Sequence, residues 1–205
     1  MRTITLMSIH NTPLYEGYHH NLKAAIEYAI SQNISLDEID LSYRKIGHIN
    51  LDGISLKHAS FRGADLTGAN MSEAHFTACD FSESILHDAC FCYSDLLRCN
   101  FKLSHFHNTD ISMISLDFCD FEGLSIFDID FYTAYRMREL TFTNKGKTHI
   151  FSSPPTLLTQ GKNHFIILDK TFIFNEYTHT FEEDNLPKSK KKAHTNDTQS
   201  VADSR

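Results

Sequence analysis

The sequence predicts an all-β chain that turns a corner every five residues, piling large apolar side chains along a common axis. Three observations predict this. Counting by fives from Leu36 (Leu36, Leu41, Ile46 and onward through Phe61, Phe81 and Phe101 to Phe131) gives twenty consecutive Ile, Leu, Met or Phe. Those four types fill roughly 28% of the chain, so chance placement has odds on the order of 10⁻¹¹. Two residues before each centre lies a second, smaller class, with Ala59, Ala64, Ala69, Ala74, Cys79, Ser84, Ala89, Ser94, Cys99 and Ser104 in the middle of the run. Between these inward positions lies a polar one, occupied by Asp40, Asn50, Asp65, Asn70, Asp80, Asn100, Asp110 and Asp130 among others. Neither a helical nor a strand period survives that spacing over a hundred residues. Asn, Asp, Ser and Gly suit the corners because they tolerate turn geometry and bond to nearby backbone.

Composition sets the outer bounds. At 205 residues and 41% apolar, the chain is long enough for one core, which excludes wholesale disorder. No uninterrupted apolar run is long enough for a membrane span or a signal-peptide core, and a cytoplasmic location is expected. Five cysteines without a CxxC pair suggest neither a disulfide framework nor a zinc ribbon. A net charge of −7 argues against generic phosphate binding, so direct DNA binding by the repeats is not expected.

Segments such as Ala64-Asp65-Leu66-Thr67-Gly68 and Ala69-Asn70-Met71-Ser72-Glu73 resemble the pentapeptide-repeat proteins. The resemblance runs from about Ile34 to Thr133. It implies a right-handed quadrilateral β-helix with four pentapeptides per coil, hence a solenoid of about five coils, about 24 Å tall at the usual strand spacing. Such a solenoid buries its core only through neighbouring coils and needs caps at its ends. Residues twenty apart then stack, putting Leu41, Phe61, Phe81, Phe101 and Phe121 in one column and Cys79, Cys99 and Cys119 in another. The cysteine column is expected to be small buried packing groups, not a metal or redox ladder.

The chain divides into four expected parts. Residues 1–33 form an N-terminal strand and a capping helix. Thr3 to Leu6 alternate as a short strand before an Asn11-Thr12-Pro13 turn, and Leu22, Ala25, Ile26, Ala29 and Ile30 fall at helical spacing between an Asn21 cap and an Asn33 stop. This helix covers the mouth of the first coil, beside an edge-placed Arg44. A strand and helix ahead of the coils also resemble phage- and prophage-type members of the family. Residues 34–133 are the solenoid. Residues 134–181 form a β-rich C-terminal module, a small meander over 140–143, 148–151, 164–168 and 171–174 with turns at Asn144-Lys145-Gly146, Gly161-Lys162-Asn163 and Asp169-Lys170. Residues 182–205, carrying Lys188 and Lys190–Lys192, are a disordered charged tail.

Outward positions carry the functional signal. Between Ile34 and Thr133 there are sixteen Asp and Glu against six Lys and Arg, a net of −10 that leaves +3 for the rest. One face, with Asp52, Glu73, Asp110 and Asp130, has no Lys or Arg and is the first candidate partner-binding surface. Solubility is the blander meaning of the same charge. A second candidate is apolar. Leu97, Leu103, Met113, Phe118, Phe127 and Tyr132 should all point outward from the last two coils, for partner binding or for self-packing under the C-terminal segment or against a second copy in a homodimer. His87 and His107 share one repeat position a coil apart, with His105, Asp88 and Asn108 beside them. Nothing identifiable orients those rings, and thirteen histidines make coincidences easy, so no metal and no cofactor is expected.

The sequence has no phosphate loop, HExxH, GxSxG or GxGxxG motif, and a solenoid exterior lacks an enclosed pocket for acid–base work. A non-catalytic protein-binding solenoid is therefore expected, with a protein partner and no enzyme activity. The resemblance adds a DNA-mimicking inhibitor or protector of a DNA-handling enzyme such as a topoisomerase or nuclease, because topoisomerase-protecting family members are thought to imitate duplex DNA. Those members carry longer stacks and dimerise through the coil end. The alternative is a structural or effector-type scaffold that binds through its C-terminal coils or meander.

Overall fold

The computed structural model describes residues 1–160, 163–169, 171–174 and 177–180. Strand β1 (Arg2–Met7) pairs antiparallel with β2 (Pro13–His19), and helix α1 (Leu22–Ser31) follows. The strand β2 is not foreseen from sequence, because its half-buried residues alternate too weakly to give a clean period. The Asn21 side chain accepts the Ala24 N–H at 2.8 Å, and Asn33 ends the helix in a left-handed conformation (φ 55°). Burial of Ala25, Ile26 and Ala29 presses α1 onto the core. Lys23 Nζ donates to the His48 carbonyl at 2.6 Å and Glu27 accepts the Asn50 N–H at 3.2 Å, which ties the helix to the first coil. The Asp40 N–H donates to the Met7 carbonyl at 2.8 Å and joins β1 to the same coil. Arg44 is exposed there.

The solenoid has four sides, each a column of parallel pairings twenty residues apart. Strands β3 (Ser55–Lys57), β4 (His75–Thr77) and β5 (Asp95–Leu97) stack on one side; β6 (Asn100–Lys102) follows at the next corner, then β7 (Ser115–Asp117), which continues the first column, and β8 (Asp120–Glu122), which pairs with β6. The other columns are single bridges: Lys45–Asp65–Ile85–His105 and Asn50–Asn70–Cys90–Asp110, with Asp40–Ser60–Asp80–Asn100 leading into β6. All twenty five-step centres from Leu36 to Phe131 are buried, as are the small residues of the second class. The period therefore does assign the core.

Phe61, Phe81, Phe101 and Phe121 stack in parallel, with centroids 4.7, 5.0 and 5.4 Å apart. The inner polar groups reach down to the turn below. Ser94, Ser104 and Thr109 donate to the Met71, Phe81 and Leu86 carbonyls at 2.6, 2.8 and 2.8 Å. The thiols of Cys79, Cys99 and Cys119 do the same at 3.5 to 3.6 Å. These three cysteines are fully buried, and hydrogen bonding to the next cysteine in the column, then burial, pushes the Cys79 and Cys99 thiols far up.

The stack has about four regular turns, one fewer than expected. In the fifth, Phe121, Ile126 and Phe131 still point inward, but Leu124–Asp128 and Phe131–Thr133 form 3-10 turns and the bridges on two sides end at His105 and Asp110. Gly123, at φ 94°, departs from the corner angle used by the turns below. Ser125 Oγ then donates to the Ser104 carbonyl at 2.5 Å, so a side chain takes the place of the missing ladder bond.

The remaining two sides continue upward. Strand β9 (Arg136–Arg138) pairs with β7, and β10 (Leu140–Asn144) pairs with β8, both in parallel. Strand β10 then hairpins with β11 (Lys147–Phe151). Beyond it, β12 (Thr156–Gln160), β13 (Asn163–Leu168), β14 (Thr171–Phe174) and β15 (Tyr177–Thr180) form an antiparallel meander. The carboxylate of Asp169 accepts the Ser152 and Ser153 N–H groups at 2.8 and 3.0 Å and fastens that meander to the hairpin. Residues 161–162, in one predicted turn, Lys170, in another, and the charged tail 182–205 lie outside the described residues. Among the described residues no helix is long and apolar enough to cross a membrane.

Candidate functional surface

Each corner of the coil is built from two residues with different duties. The polar residue before each centre folds back on its own turn. Asp40, Asn50, Asp65, Asn70, Asp80, Asn100, Asp110 and Asp130 each accept the backbone N–H two residues on, at 2.9 to 3.3 Å. The residue two after the centre takes a left-handed conformation, with φ of 53–65° at every step from Tyr43 to Phe118. Gly occupies only three of those corners, and Tyr, Arg, Leu, Met and Phe occupy others. Turn-forming residues thus sit three places before the position where the backbone is most constrained.

That geometry aims the corner side chains at solvent. On the side bounded by the Asn50–Asp110 column, Asp52, Glu73, Asp110 and Asp130 are all exposed. Asp110 and Asp130 line one shallow depression of about 550 Å³ together with Asp88, Asp128, Cys90 and Asn108. Asp52 and Glu73 stand apart on the lower coils. Asp88 and Asp128, also exposed, complete the side and were missed as members of it; the twenty-residue spacing that stacks Asp88, Asn108 and Asp128 was the available signal. The Asp110 carboxyl is held below its ordinary range by the Ser112 hydroxyl, the Cys92 thiol and the Ser112 N–H.

Cys90, on the wall of this depression, and its neighbour Cys92 are a second feature. Cys90 takes the position held by Asn70 and Asp110 in adjacent turns, and Cys92 takes that of Ser72 and Ser112. The Cys90 thiol donates to Cys92 Sγ at 2.9 Å, and Ser72 Oγ lies 3.4 Å from Cys90 Sγ. Both Sγ atoms and a carboxylate oxygen of Asp110 lie within 4.8 Å of one another. Burial, then hydrogen bonding to Cys90 and Asp110, pushes the Cys92 thiol up.

The six outward apolar residues separate into two sets. Phe127 packs against Phe142 of β10 with centroids 5.8 Å apart, Leu97 is half-buried on β5, and Phe118 lies under the Arg98 and Arg138 guanidinium groups at 5.7 and 4.8 Å. Leu103, Met113 and Tyr132 remain exposed at 50, 45 and 79%. Below Arg138, the buried Asp117 carboxylate receives Arg136 and Arg138 of β9 at 2.8 and 3.0 Å. His87 and His107 meet edge to face at 5.7 Å.

Residues 34–72 and 59–92 match the family model described as pentapeptide repeats, in eight copies. Over those residues the solenoid carries the pentapeptide-repeat pattern, and its corner geometry runs past the matched segment as far as Phe118. Among solved structures it is similar to the pentapeptide repeat protein Rfr23 of the cyanobacterium Cyanothece 51142 (15% identity, 48% of this chain and 62% of that one, TM-score 0.38). It is also similar to a pentapeptide repeat protein of the Arabidopsis thaliana thylakoid lumen (24% identity, 40% and 65%, TM-score 0.31). A third is QnrB1, a plasmid-mediated fluoroquinolone resistance protein (16% identity, 42% and 66%, TM-score 0.21). The chain spans less than two thirds of the length of each. No curated protein matches it.

Proposed function

We propose that this chain is a non-catalytic protein-binding solenoid that offers one acidic side to the basic cleft of a DNA-handling enzyme, such as a topoisomerase or nuclease, in the cytoplasm. One observation carries this reading: Asp52, Glu73, Asp88, Asp110, Asp128 and Asp130 are all exposed on a side where the coils contribute no Lys or Arg. Four coil rises of about 4.8 Å separate Asp52 from Asp130, so the six charges fall at roughly one per 3 Å of axis. One strand of duplex DNA carries a phosphate about every 3.4 Å. A rigid core keeps that spacing fixed, which favours docking over a mobile acidic tail that would lose entropy on binding. The test is competition: the chain at increasing concentration should displace duplex DNA from a purified topoisomerase or nuclease, while binding no DNA itself. Unchanged DNA occupancy and activity at saturating chain would overturn the reading.

Exposure of Leu103, Met113 and Tyr132 near the top of the stack favours a second reading, a scaffold that holds a partner, or a second copy, through its last coils. Substituting these three residues with Ser should abolish binding there and leave the acidic side competent.

A further inference from the structure

We propose that Cys90, Cys92 and Asp110 form a binding site for a thiophilic divalent cation of the zinc class, a site that shares Asp110 with the acidic side but does not rest on the partner-binding reading above. The column itself is the starting point. In the turn below, Ser72 Oγ donates to Asn70 Oδ1 at 2.5 Å, and in the turn above Ser112 Oγ donates to Asp110 Oδ1 at 2.6 Å. Corner geometry is thus satisfied by an oxygen pair. Between those turns the chain replaces both oxygens with sulfur at once. The corner still closes, with Cys90 Sγ accepting the Cys92 N–H at 3.5 Å, so nothing in the fold requires the double exchange.

What the exchange adds is ligand chemistry. The two thiols and a carboxylate oxygen of Asp110 in the next turn lie within 4.8 Å of one another, and the Ser72 hydroxyl of the previous turn lies 3.4 Å from Cys90 Sγ. Two thiolates and one carboxylate are the mixed S and O donors that a borderline-soft tetrahedral cation accepts, and water or the Ser72 hydroxyl fills the fourth position. Bonds of about 2.3 Å at a tetrahedral centre set two sulfurs about 3.8 Å apart, so the pair must open by about 0.9 Å from its 2.9 Å separation. Cys90 and Cys92 are only partly buried, and Cys90 lines the open depression, so its sulfur has the room to move. On binding, both thiols release their protons to water. The other three cysteines are sealed in the core and cannot compete.

Cobalt(II) titrated into the full, reduced chain tests the site, because sulfur-to-cobalt charge transfer reports thiolate ligation and is silent to the thirteen histidines. The expected result is a charge-transfer band that saturates at one equivalent and is bleached by zinc. The double variant Cys90→Asn/Cys92→Ser restores the residues of the turn below, so it should fold and melt as the natural chain does and show no band. Asp110→Asn keeps the turn acceptor but removes the charged ligand; affinity should fall by about tenfold or more, at least what a metal site's outer hydrogen-bond partner contributes. No band at one equivalent in the reduced chain, or an equal band in the double variant, overturns the site. An unchanged affinity in Asp110→Asn overturns its third ligand.

Discussion

The rings of Phe81 and Phe101 lie face to face, 5.0 Å apart and 5° from parallel, one turn apart in the stack. The backbone repeat imposes that arrangement, and Phe76 and Phe91 add edge-on contacts to Phe81 at 89° and 80°. Removing the central ring leaves a void that rigid neighbouring turns cannot close. Phe81→Ala should therefore lose about 3–5 kcal/mol of stability in urea denaturation. A loss under about 1 kcal/mol would mean the column is not the core.

Two serines of one inner column make opposite predictions. Ser104 Oγ donates to the Phe81 carbonyl at 2.8 Å, whereas Ser84 Oγ is buried with no hydrogen-bond partner among the described residues. Alanine already fills the equivalent place at Ala64. Ser84→Ala should stabilise the chain by about 1 kcal/mol, while Ser104→Ala should destabilise it by a similar amount. Thermal or urea melts of the pair would decide, and a shift of the same sign in both would contradict the hydrogen-bond assignment.

Stability should fall in acid partly through Asp65. Hydrogen bonds from the Thr67 hydroxyl and from the Thr67 N–H at 3.1 Å hold this carboxyl below its usual range. A depressed folded value gives stabilisation that is complete above the unfolded value of about 3.9 and is lost as pH falls through the folded one. Asp65→Asn keeps an acceptor for the N–H but cannot titrate. Its drop in urea midpoint between neutral pH and about pH 3 should be smaller than that of the natural chain; equal drops would remove Asp65 from the account.

Beside the β7–β9 and β8–β10 pairings, the junction between the coils and the C-terminal strands carries one buried carboxylate. Asp117 is buried, yet its partners Arg136 and Arg138 are half exposed, so the pair is worth less than a fully buried one. Replacing both arginines with Ala strands a buried charge and should cost about 1–3 kcal/mol. Hydrogen exchange should quicken in β9 and β10 first and leave the amides around Phe81 protected. Uniform loosening of the whole stack would refute a local junction.

Neutralising Asp88, Asp128 and Asp130 as Asn removes half the charge of the acidic side while keeping amide oxygens as acceptors for Asn108 and Tyr132. Association with a basic partner should slow by about tenfold at low salt, and the difference should shrink as the Debye length falls to about 3 Å near 1 M. An effect independent of salt would point to shape, not charge.

The period of five made the core readable residue by residue, because only inward positions are chemically restricted. Corners were not readable in the same way. Leu103 and Phe118 hold left-handed backbone because their N–H groups are fixed to the Glu122 and Arg138 carbonyls of the next layer, so neighbouring turns override local preference. The fifth coil kept its apolar centres and lost its ladder on two sides, a change that side-chain pattern alone does not register. Cys90, Cys92 and Asp110 were visible as letters, but their meeting depends on the twenty-residue stacking, and the sulfurs are recognisable as exceptions only beside Asn70 and Ser72.

The way the coil ends also bears on self-association. An unfinished stack of parallel edges is a template on which further copies could polymerise into a filament. Here the Ser125 hydroxyl and the 3-10 turns blunt two edges, and β9 and the β10–β11 hairpin overlay the others. A further parallel coil therefore finds two of the four sides closed at this end, and the other two already taken by the chain's own strands.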